Sequence, residues 1–478
     1  MQRSIKNVLP VVILVTSLNA GGFALSGVGA RALSMGGAFR AIANDWSAVY
    51  WNPAGVSYLT ETQIALNGIA VGPRSSFEPN TGILGYDGPY SLREKVNSVP
   101  QNFYIPAFVY VTPFEIAESR VAISFTVPFG LGSKWDLYDF PIGYYNTTDT
   151  SFHIPEYEKH DWQSNLSIYN MYLSYGKAFG PLMVGISGGV TLTNIMLRKV
   201  NFLDPATIDP SLTSLPIQYR LFPIDTKIEG TGWGLGGNIG VLWNLSDKLK
   251  MGASARLYSK INIEGTADLV LYFPYNDYLL SQVPPEAQFI FNGSTASGSG
   301  GLKTTLNLPM NFGAGLSYKL TETLLLALDV DWTRWFTMDR LGVDFQNLVL
   351  KIGGMIPLDT LKTDTLNFLW NNTYRVSIGA EYALFPNLFL RAGAYWDQSP
   401  VPATTTTVLI PDPGEKYSIN LGIGYIMKNV ELNLNYEYLL PVSHEVERGE
   451  SYSYKSDYLP GKYSMFINAL GLNVNFKF

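Results

Sequence analysis

Residues 470–478 read LGLNVNFKF, residues 430–438 read VELNLNYEY and residues 417–425 read YSINLGIGY. In the first of these, Leu470, Leu472, Val474, Phe476 and Phe478 alternate with Gly471, Asn473, Asn475 and Lys477. In the other two, Val430, Leu432, Leu434 and Tyr436, and Tyr417, Ile419, Leu421 and Ile423, alternate in the same way with Asn, Glu, Ser and Gly. Such alternation puts apolar side chains on one face of a strand and polar or very small ones on the other. A soluble antiparallel sheet gives the same signal, so two further features decide between the cases.

The first is the rhythm of the connections. Tight turns are expected at Gly180-Pro181, around residues 244–248 and 320–323, at Phe385-Pro386-Asn387 and at Lys428-Asn429. Between them lie long polar or mixed stretches at residues 133–165, 202–224, 272–301, 342–368, 399–416 and 448–460. One end of the sheet is trimmed and the other elaborated, which is the plan of an outer-membrane barrel. The second feature is aromatic. Trp332 and Trp335, Tyr395 and Trp396, and Tyr436 and Tyr438 gather at strand ends, where an interfacial girdle would lie. Strand candidates from Thr62 onward number about fourteen, an even count as such barrels need. The expected fold is all-β, a transmembrane antiparallel β-barrel over residues 59–478 with long extracellular loops.

The bulk properties agree. Of 478 residues only 15% are charged, well below the roughly 25% of a typical soluble domain, and no linker divides the chain. A net charge of −6 argues against a nucleic-acid partner. With no cysteine there is no disulfide framework and no thiolate metal site, and no cofactor is expected. At the N-terminus, Arg3 and Lys6 precede an apolar run over residues 8–18, followed by small residues with Ala20 and Ala24 as cleavage positions. This is the layout of a secretory signal peptide, residues 1–20, with cleavage as late as residue 24. No later segment has the 18 or more apolar residues of a spanning helix, so the exported chain crosses a membrane as strands. The expected location is the outer membrane of a Gram-negative-type bacterium, as a monomer among its lipids, lipopolysaccharide included.

One stretch does not alternate: GVGARALSMGGAFRAIANDWSAVYWNPAG, residues 27–55. Residues 30–43 read as a short helix weakened by Gly36 and Gly37, and Asp45 as the cap of a second short helix through Trp51. Pro53 pushes Asn52 out of the helical region and ends it in a tight turn. Such helices are marginal alone in water. A barrel of this size leaves a lumen its own side chains do not fill. Inward glycines (Gly185, Gly189, Gly313, Gly315, Gly379, Gly393) enlarge that space. Residues 21–58 are therefore expected as a small α-helical plug, or hatch, in the lumen.

A plugged lumen needs another exit. The third predicted strand, residues 120–131, contains Val127, Pro128, Phe129, Gly130 and Leu131. Proline inside a strand is confined to edges and bulges. Two readings fit: a kink where pairing lapses and the wall opens sideways, or a strand that ends at Val127. Capture of an apolar molecule calls for exposed apolar loop residues. Leu279, Leu280, Phe289 and Phe291 in one loop, with Leu215 and Phe222 in another, serve that role or pack on each other as a lid. By strand parity Arg256, Arg375 and Arg391 face the lumen with Asp329, Asp331, Glu381, Glu431 and Glu437. These arginines are candidate contacts for a carboxylate headgroup, or members of a network bracing the plug. A GxGxxG match at Gly232, Gly234 and Gly237 lies inside an alternating strand with no helix after it, which rules out a dinucleotide fingerprint. Residues 293–301, GSTASGSGG, read as a flexible loop tip. The three histidines, His153, His160 and His444, read as solvated residues, with a metal or catalytic role as the alternative; His444 or His153 as a base would make the chain an outer-membrane barrel hydrolase acting on lipids or esters.

The motif GxGARAxxMGGA at residues 27–38, the NPAG at residues 52–55, DVDWTRW at residues 329–335, RAGAYWDQSPVP at residues 391–402 and LIPDPGEKYSINLGIGY at residues 409–425 together resemble the FadL/TodX family. These are outer-membrane transporters for long-chain fatty acids and other hydrophobic compounds. The resemblance spans the mature chain. It implies fourteen strands, an N-terminal hatch, hydrophobe capture in outer loops, a lumenal pocket and lateral exit at a kink in the third strand. It further implies that Asn52, Pro53 and Ala54 lie against that kink as the gate, and it favours Pro128, Phe129 and Gly130 as a lateral opening. The function so implied is passive uptake of hydrophobic small molecules, without enzymatic activity.

Overall fold

The computed structural model describes residues 21–79, 95–114, 119–137, 160–203, 222–273, 280–281, 284–447 and 457–478. Among the described residues, nineteen strand segments form one sheet. They are β1 (Gln63–Pro79), β2 (Val96–Asn97), β3 (Phe103–Phe114), β4 (Ser119–Trp135), β5 (Trp162–Phe179), β6 (Leu182–Leu203), β7 (Phe222–Asn244), β8 (Leu249–Tyr258), β9 (Ile261–Tyr272) and β10 (Thr295–Leu306). There follow β11 (Asn311–Lys319), β12 (Leu324–Thr333), β13 (Arg340–Ile352), β14 (Ile356–Asn367), β15 (Thr373–Phe385), β16 (Leu388–Asp397), β17 (Lys416–Met427), β18 (Val430–Val446) and β19 (Gly461–Lys477).

Fourteen of these close an antiparallel ring: β1, β3 to β8, β11, β12 and β15 to β19. The last strand closes on the first in unbroken register, from Gln63 opposite Lys477 to Pro79 opposite Gly461. The remaining long strands leave the ring at β7, which forks. Its inner half pairs with β8, from Gly236 to Asn244, and its outer half with β9, from Ile224 to Trp233. Beyond β9 the ladder continues through β10 and β13 to β14, an outlying sheet that the membrane ring does not contain.

The faces of the ring are inverted relative to a soluble protein. On β17, Tyr417, Ile419 and Leu421 are each at least 50% exposed, whereas Ser418 and Asn420 are 2% or less. An exterior of Leu, Ile, Val and aromatic side chains around a polar interior is stable only against hydrocarbon. No helix among the described residues is long and apolar enough to cross a membrane.

Residues 21–58 fill the interior. Helix α1 (Ala30–Ser34) stops well short of the expected residue 43, because Gly36 and Gly37 take φ of 67° and 84° and turn the chain. Helix α2 (Ala48–Trp51) begins after Ser47, not at Asp45. The Asp45 carboxylate accepts from the Ser47 N–H (2.8 Å) and hydroxyl (2.6 Å), forming a side-chain turn ahead of the helix. Asn52 is extended, with φ of −158°, and a 3₁₀ turn over Pro53–Tyr58 leads into β1. Almost every residue of this segment is buried; Asn44 alone among residues 21–58 is exposed.

Several wall glycines do not leave empty space, as the sequence suggested, but admit the plug backbone. A Cβ on Gly393 would stand 2.1 Å from the Met35 carbonyl carbon, and one on Gly252 2.3 Å from the Arg40 oxygen. Gly189 is different; its Cβ would meet the neighbouring strand at Met171.

Three further expectations are corrected. Residues 293–301 are not a loop tip: β10 runs through them, paired to β9 and β13, with a bulge between Ser297 and Gly301. Gly298 and Gly300 there let the β13 backbone approach, so glycine marks close ladder contact. Residues 342–368 are not a loop either but most of the β13–β14 hairpin. Trp335 and Tyr395 do not belong to a girdle: both face inward, 1% and 4% exposed. Tyr436, also expected there, does face outward, and so do Trp243, Tyr374, Tyr382, Tyr417 and Tyr425, among others.

Candidate functional site

Among the described residues the ladder of the ring lapses between β3 and β4. β3 pairs with β4 only from Phe108 opposite Phe125 to Phe114 opposite Ser119. Residues 103–107 of β3 keep their pairing to β1, and residues 129–135 of β4 keep theirs to β5, but no register joins the two across the gap. The local chemistry explains this. Pro106 on β3 and Pro128 on β4 have no N–H to give a ladder. On β4 the register shifts between Thr126, opposite Asn170, and Phe129, opposite Ile168, so Val127 and Pro128 face a single residue in a bulge. The strand does not end at Val127; it bends there and runs on to Trp135.

The free edge of β4 is not left bare. The Leu25 N–H donates to the Pro128 carbonyl (3.1 Å), and the Gly130 N–H donates to the Phe23 carbonyl (2.9 Å). Ala24 pairs antiparallel with Phe129, so residues 23–25 stand in for the missing stretch of β3. Phe23 packs edge-on against Phe129 and Trp335 (ring centroids 5.6 and 5.0 Å) and beside Trp370 (5.5 Å). Leu25 joins Leu33, Ile69, Phe103, Ile105 and Val127 in an apolar cluster behind the gap. Phe23, Ala24 and Leu25 were not singled out from the sequence. Their signal was a lone Phe and Leu in the small-residue run after the leader, too brief to carry a period. Pro106 was missed as well, although the proline rule applies to it as to Pro128.

Asn52, Pro53 and Ala54 lie elsewhere than the family resemblance implied. The Asn52 side chain donates to the Arg40 carbonyl (3.0 Å) and to the Val241 carbonyl of β7 (2.9 Å), and accepts from the Ala54 N–H (3.2 Å). Pro53 abuts Gly185 of β6 and Gly240 of β7, where a Cβ would come within 3 Å of it. The turn is thus clamped to β6 and β7, while residues 23–25 are what border Pro128.

Ion pairs hold the plug to the wall. Arg40, 1% exposed, pairs with Asp331 and with Asp329 (3.5 Å) on β12, and its guanidinium also donates to Ser254 (3.0 Å) and Asn311 (3.0 Å). The Phe39 and Arg40 N–H groups donate to Asp329 (3.1 and 2.9 Å). Arg31 makes a bidentate contact with Glu381 on β15 (2.7 and 2.8 Å), which Arg391 shares (2.6 Å). Arg391 therefore belongs to the bracing network. Arg375 lies over the Tyr395 ring (3.8 Å) and donates to the Ser26 and Gly36 carbonyls (3.3 and 3.2 Å). Arg256 stacks on Tyr50 (3.8 Å) and donates through Nε to the Tyr50 carbonyl (3.2 Å), but its buried Nη2 has no partner among the described residues.

Arg256 and Arg375 line a cavity beside Pro128 and Phe129, shared with Leu25, Ser26, Tyr258 and Trp335. It offers only about 70 Å³, room for a few waters and too little for an acyl chain. Leu25 forms part of its wall on the side of the β3–β4 gap.

The loop residues are not a bare apolar surface. Phe222 and Phe291 are buried, 1% and 0% exposed, and Leu280 and Phe289 pack partly buried against the same cluster. Phe222 meets Phe273 (5.7 Å) and Phe291 (6.3 Å), and Phe273 meets Phe289 (5.4 Å), which is the lid arrangement. Leu215, Leu279 and His153 lie outside the described residues. His444 is exposed on β18 opposite Tyr463, and His160 precedes β5, so the described histidines share no site. No group of three metal-binding side chains is found among the described residues.

The model of the family described as "Outer membrane protein transport protein (OMPP1/FadL/TodX)" matches residues 11–478. A long-chain fatty acid transport protein of Shigella flexneri is 25% identical over 99% of this chain and 98% of its own length. Among solved structures, a FadL homologue of Pseudomonas aeruginosa superimposes with a TM-score of 0.72 at 17% identity, over 96% of this chain and 100% of the other. The toluene transporter TodX of P. putida gives 0.68 at 17% identity, over 95% and 99%. At these identities the structures speak for the fold.

Proposed function

Because this chain belongs to the OMPP1/FadL/TodX family of outer-membrane transport proteins, a family of transporters and not of enzymes, we propose that it admits hydrophobic small molecules through the gap between β3 and β4. The observation that carries this reading is the interrupted ladder at residues 103–107 and 126–135, stopped by the chain's own N-terminal segment. In a closed barrel every backbone group in the hydrocarbon layer must be paired. Groups paired to a detachable segment rather than to a strand give the wall a door.

The route follows from the parts. An apolar molecule enters from the outer side past the aromatic cluster of Phe222, Phe273, Phe289 and Phe291. It reaches the cavity at Pro128 by displacing residues 23–25, and leaves sideways into lipid through the place they held. Burial supplies about 0.8 kcal/mol per CH₂ of an acyl chain. Arg256, with Nη2 unpaired, and Arg375 support a guest with an acidic head. The aromatic walls, Phe129, Trp335 and Tyr258, support a ring hydrocarbon equally, and the relatives include carriers named for each. Asn52, Pro53 and Ala54 act in this scheme by fixing the plug to β7 while residues 23–25 move. The apolar exterior supports a single chain bathed in outer-membrane lipid, lipopolysaccharide included.

The test uses the absence of cysteine. Ala24 and Phe129 are an antiparallel pair flanked by hydrogen bonds at their neighbours, a geometry with Cα atoms about 4.5 Å apart that accepts a disulfide. In the double variant A24C/F129C, oxidation should abolish uptake of labelled oleate and toluene, and reduction should restore it. Normal uptake by the oxidised form would refute exit through this gap.

A further inference from the structure

One outer connection turns into the barrel. Loops ordinarily run over the surface, because a buried one carries backbone groups that are hard to satisfy. Between β16 and β17, every residue from Thr405 to Ile410 is 4% exposed or less. Their N–H groups find partners inside the loop. Leu409 donates to the Thr407 hydroxyl (3.3 Å), Ile410 to the Thr407 carbonyl (3.2 Å) and Asp412 to the Ile410 carbonyl (2.9 Å). One root is fastened by the Thr405 hydroxyl on the Phe368 carbonyl (2.5 Å), the other by the ion pair of Asp412 with Lys416.

The carbonyls at the tip are satisfied from the far wall. The Trp135 indole N–H donates to the Val408 carbonyl (2.8 Å) and the Ser164 hydroxyl to the Leu409 carbonyl (2.6 Å). The Ser133 hydroxyl reaches both (3.0 and 3.2 Å) and lies 2.9 Å from that of Ser164. Three side-chain donors on β4 and β5 thus serve two carbonyls, which have two lone pairs each. Counted round the ring of fourteen, β4 and β5 stand third and fourth, and β16 and β17 eleventh and twelfth. The loop therefore crosses the lumen nearly along a diameter.

The strand it grips is the one with a free edge. From Phe129 to Trp135, β4 has a ladder to β5 alone. Its other edge is met by residues 23 and 25 near Pro128, and by the Val99 N–H on the Lys134 carbonyl (2.8 Å). Ser133 and Trp135, buried on the inner face of this half, add a hold from within the lumen. Val408, Leu409 and Ile410 belong to the same apolar cluster as Phe129, Leu131 and Trp135. An apolar guest arriving from outside competes with them for those surroundings. We propose that residues 405–410 are a strap whose grip on Ser133, Trp135 and Ser164 holds the unpaired half of β4 in place, so that a guest pushing the strap aside on entry also loosens the gap by which it leaves.

The strap rests on the lateral route proposed above and supplies a cause for its opening. Ser133, Trp135 and Ser164 are positioning residues, acting through the strand that borders the gap. Side-chain hydrogen bonds to a loop are given up singly, whereas a strand register is lost as a set. Pro400 and Pro402 on one limb, and Pro411 and Pro413 on the other, restrict the backbone on either side of the tip, so the turn at residues 407–410 is carried on stiff limbs.

Because the chain has no cysteine, the gap can be measured directly. Tyr104, 63% exposed on β3, and Lys134 on β4 lie on its two sides. Spin labels on Y104C/K134C, in full-length protein purified from the outer membrane, should give one narrow distance peak by pulsed electron resonance. Adding Ser133→Ala, Trp135→Phe and Ser164→Ala removes the three donors and keeps the aromatic ring; the peak should broaden and move to longer separation. Ser133→Thr with Ser164→Thr retains the hydroxyls and should restore the parent distribution. Oleate should shift the parent in the same direction and add little to the triple variant. A parent-like peak in the triple variant overturns the proposal, and so does an oleate shift of equal size in both proteins. Should the triple variant fail to fold, replacing residues 404–411 by a Gly-Ser linker of equal length leaves β4 and β5 untouched; its peak should move likewise, and an unmoved peak again overturns the proposal. The two readings fail separately: uptake by oxidised A24C/F129C reports on the exit, and the label distances report on the hold over β4.

Discussion

Replacing Phe23 by alanine tests the proposal that residues 23–25 close a lateral exit. The ring is 1% exposed and its neighbours Phe129, Trp335 and Trp370 have centroids 5.0 to 5.6 Å away. Truncating a buried phenylalanine to alanine costs about 3–5 kcal/mol. The two backbone hydrogen bonds to Pro128 and Gly130 survive the change, so the loss falls on side-chain packing alone. Residues 23–25 lie outside the β1–β19 ring, so the penalty weakens the closed position of the segment rather than the barrel. At about 1.4 kcal/mol per decade, even the lower figure shifts the shut-to-displaced ratio by about two orders of magnitude. A guest whose site is occluded gains affinity as the competent fraction rises. The void left behind is apolar and ring-walled, the kind that stays dry and takes up benzene-sized molecules. The Phe23→Ala protein should therefore bind toluene at least tenfold more tightly by calorimetry in detergent, with its thermal unfolding midpoint within a few degrees of the parent. Unaltered or weaker binding by an intact barrel would refute the idea that Phe23 occupies the guest's place.

Other substitutions probe the rest of the assembly. Arg40→Gln leaves Asp329 and Asp331 buried without their cation, a loss of about 3–5 kcal/mol in plug docking; residues 21–58 should become protease-sensitive while the ring still resists. Gly393→Val drives a side chain into Met35 and should raise conductance across planar bilayers, whereas Gly342→Ala, which meets nothing within 4 Å, should leave it alone. Asn52→Ala removes the donors to Arg40 and Val241 and should reduce uptake with the barrel still folded. Gly130→Arg places a cation at the gap and should block uptake of hydrophobic substrates; normal rates would argue against the lateral route.

How much of this was legible in the residues depends on what each signal measures. Alternation in LGLNVNFKF and YSINLGIGY reports which faces meet lipid and lumen, so the ring and its even strand count were readable. The same rule fails where both faces are mixed. Residues 293–301 are glycine and serine, a composition shared by linkers and by ladders in close contact, and only the partner strand β13 distinguishes them. In residues 342–368 the β13 half does carry an apolar face, with Val343, Phe345, Leu348 and Leu350 buried on the outlying sheet, whereas β14 is mostly exposed and gives no such signal. The bend at Pro128 was readable as one of two outcomes, because proline states what a strand loses and not whether the strand resumes. That residues 23–25 fill the gap was not readable, since three residues carry no period. Nor was the position of the Asn52 turn on β6 and β7, which depends on wall glycines 130 residues and more along the chain. Parity placed Arg256, Arg375 and Arg391 inside correctly, but which of them keeps a free donor depends on Tyr50, Glu381 and two carbonyls.

The fork at β7 ties the outside of the cell to the cork. A single strand of 23 residues, roughly 75 Å of chain, carries the outlying sheet on its upper half and grips the Asn52 turn near its lower end through Val241 and Gly240. Extended backbone with both edges laddered neither stretches nor buckles easily, so it behaves as a rod with a handle at the top and a latch at the bottom. The outlying sheet on β9, β10, β13 and β14 and the Asn52 turn thus share one strand as their common support, in the wall and not in the lumen.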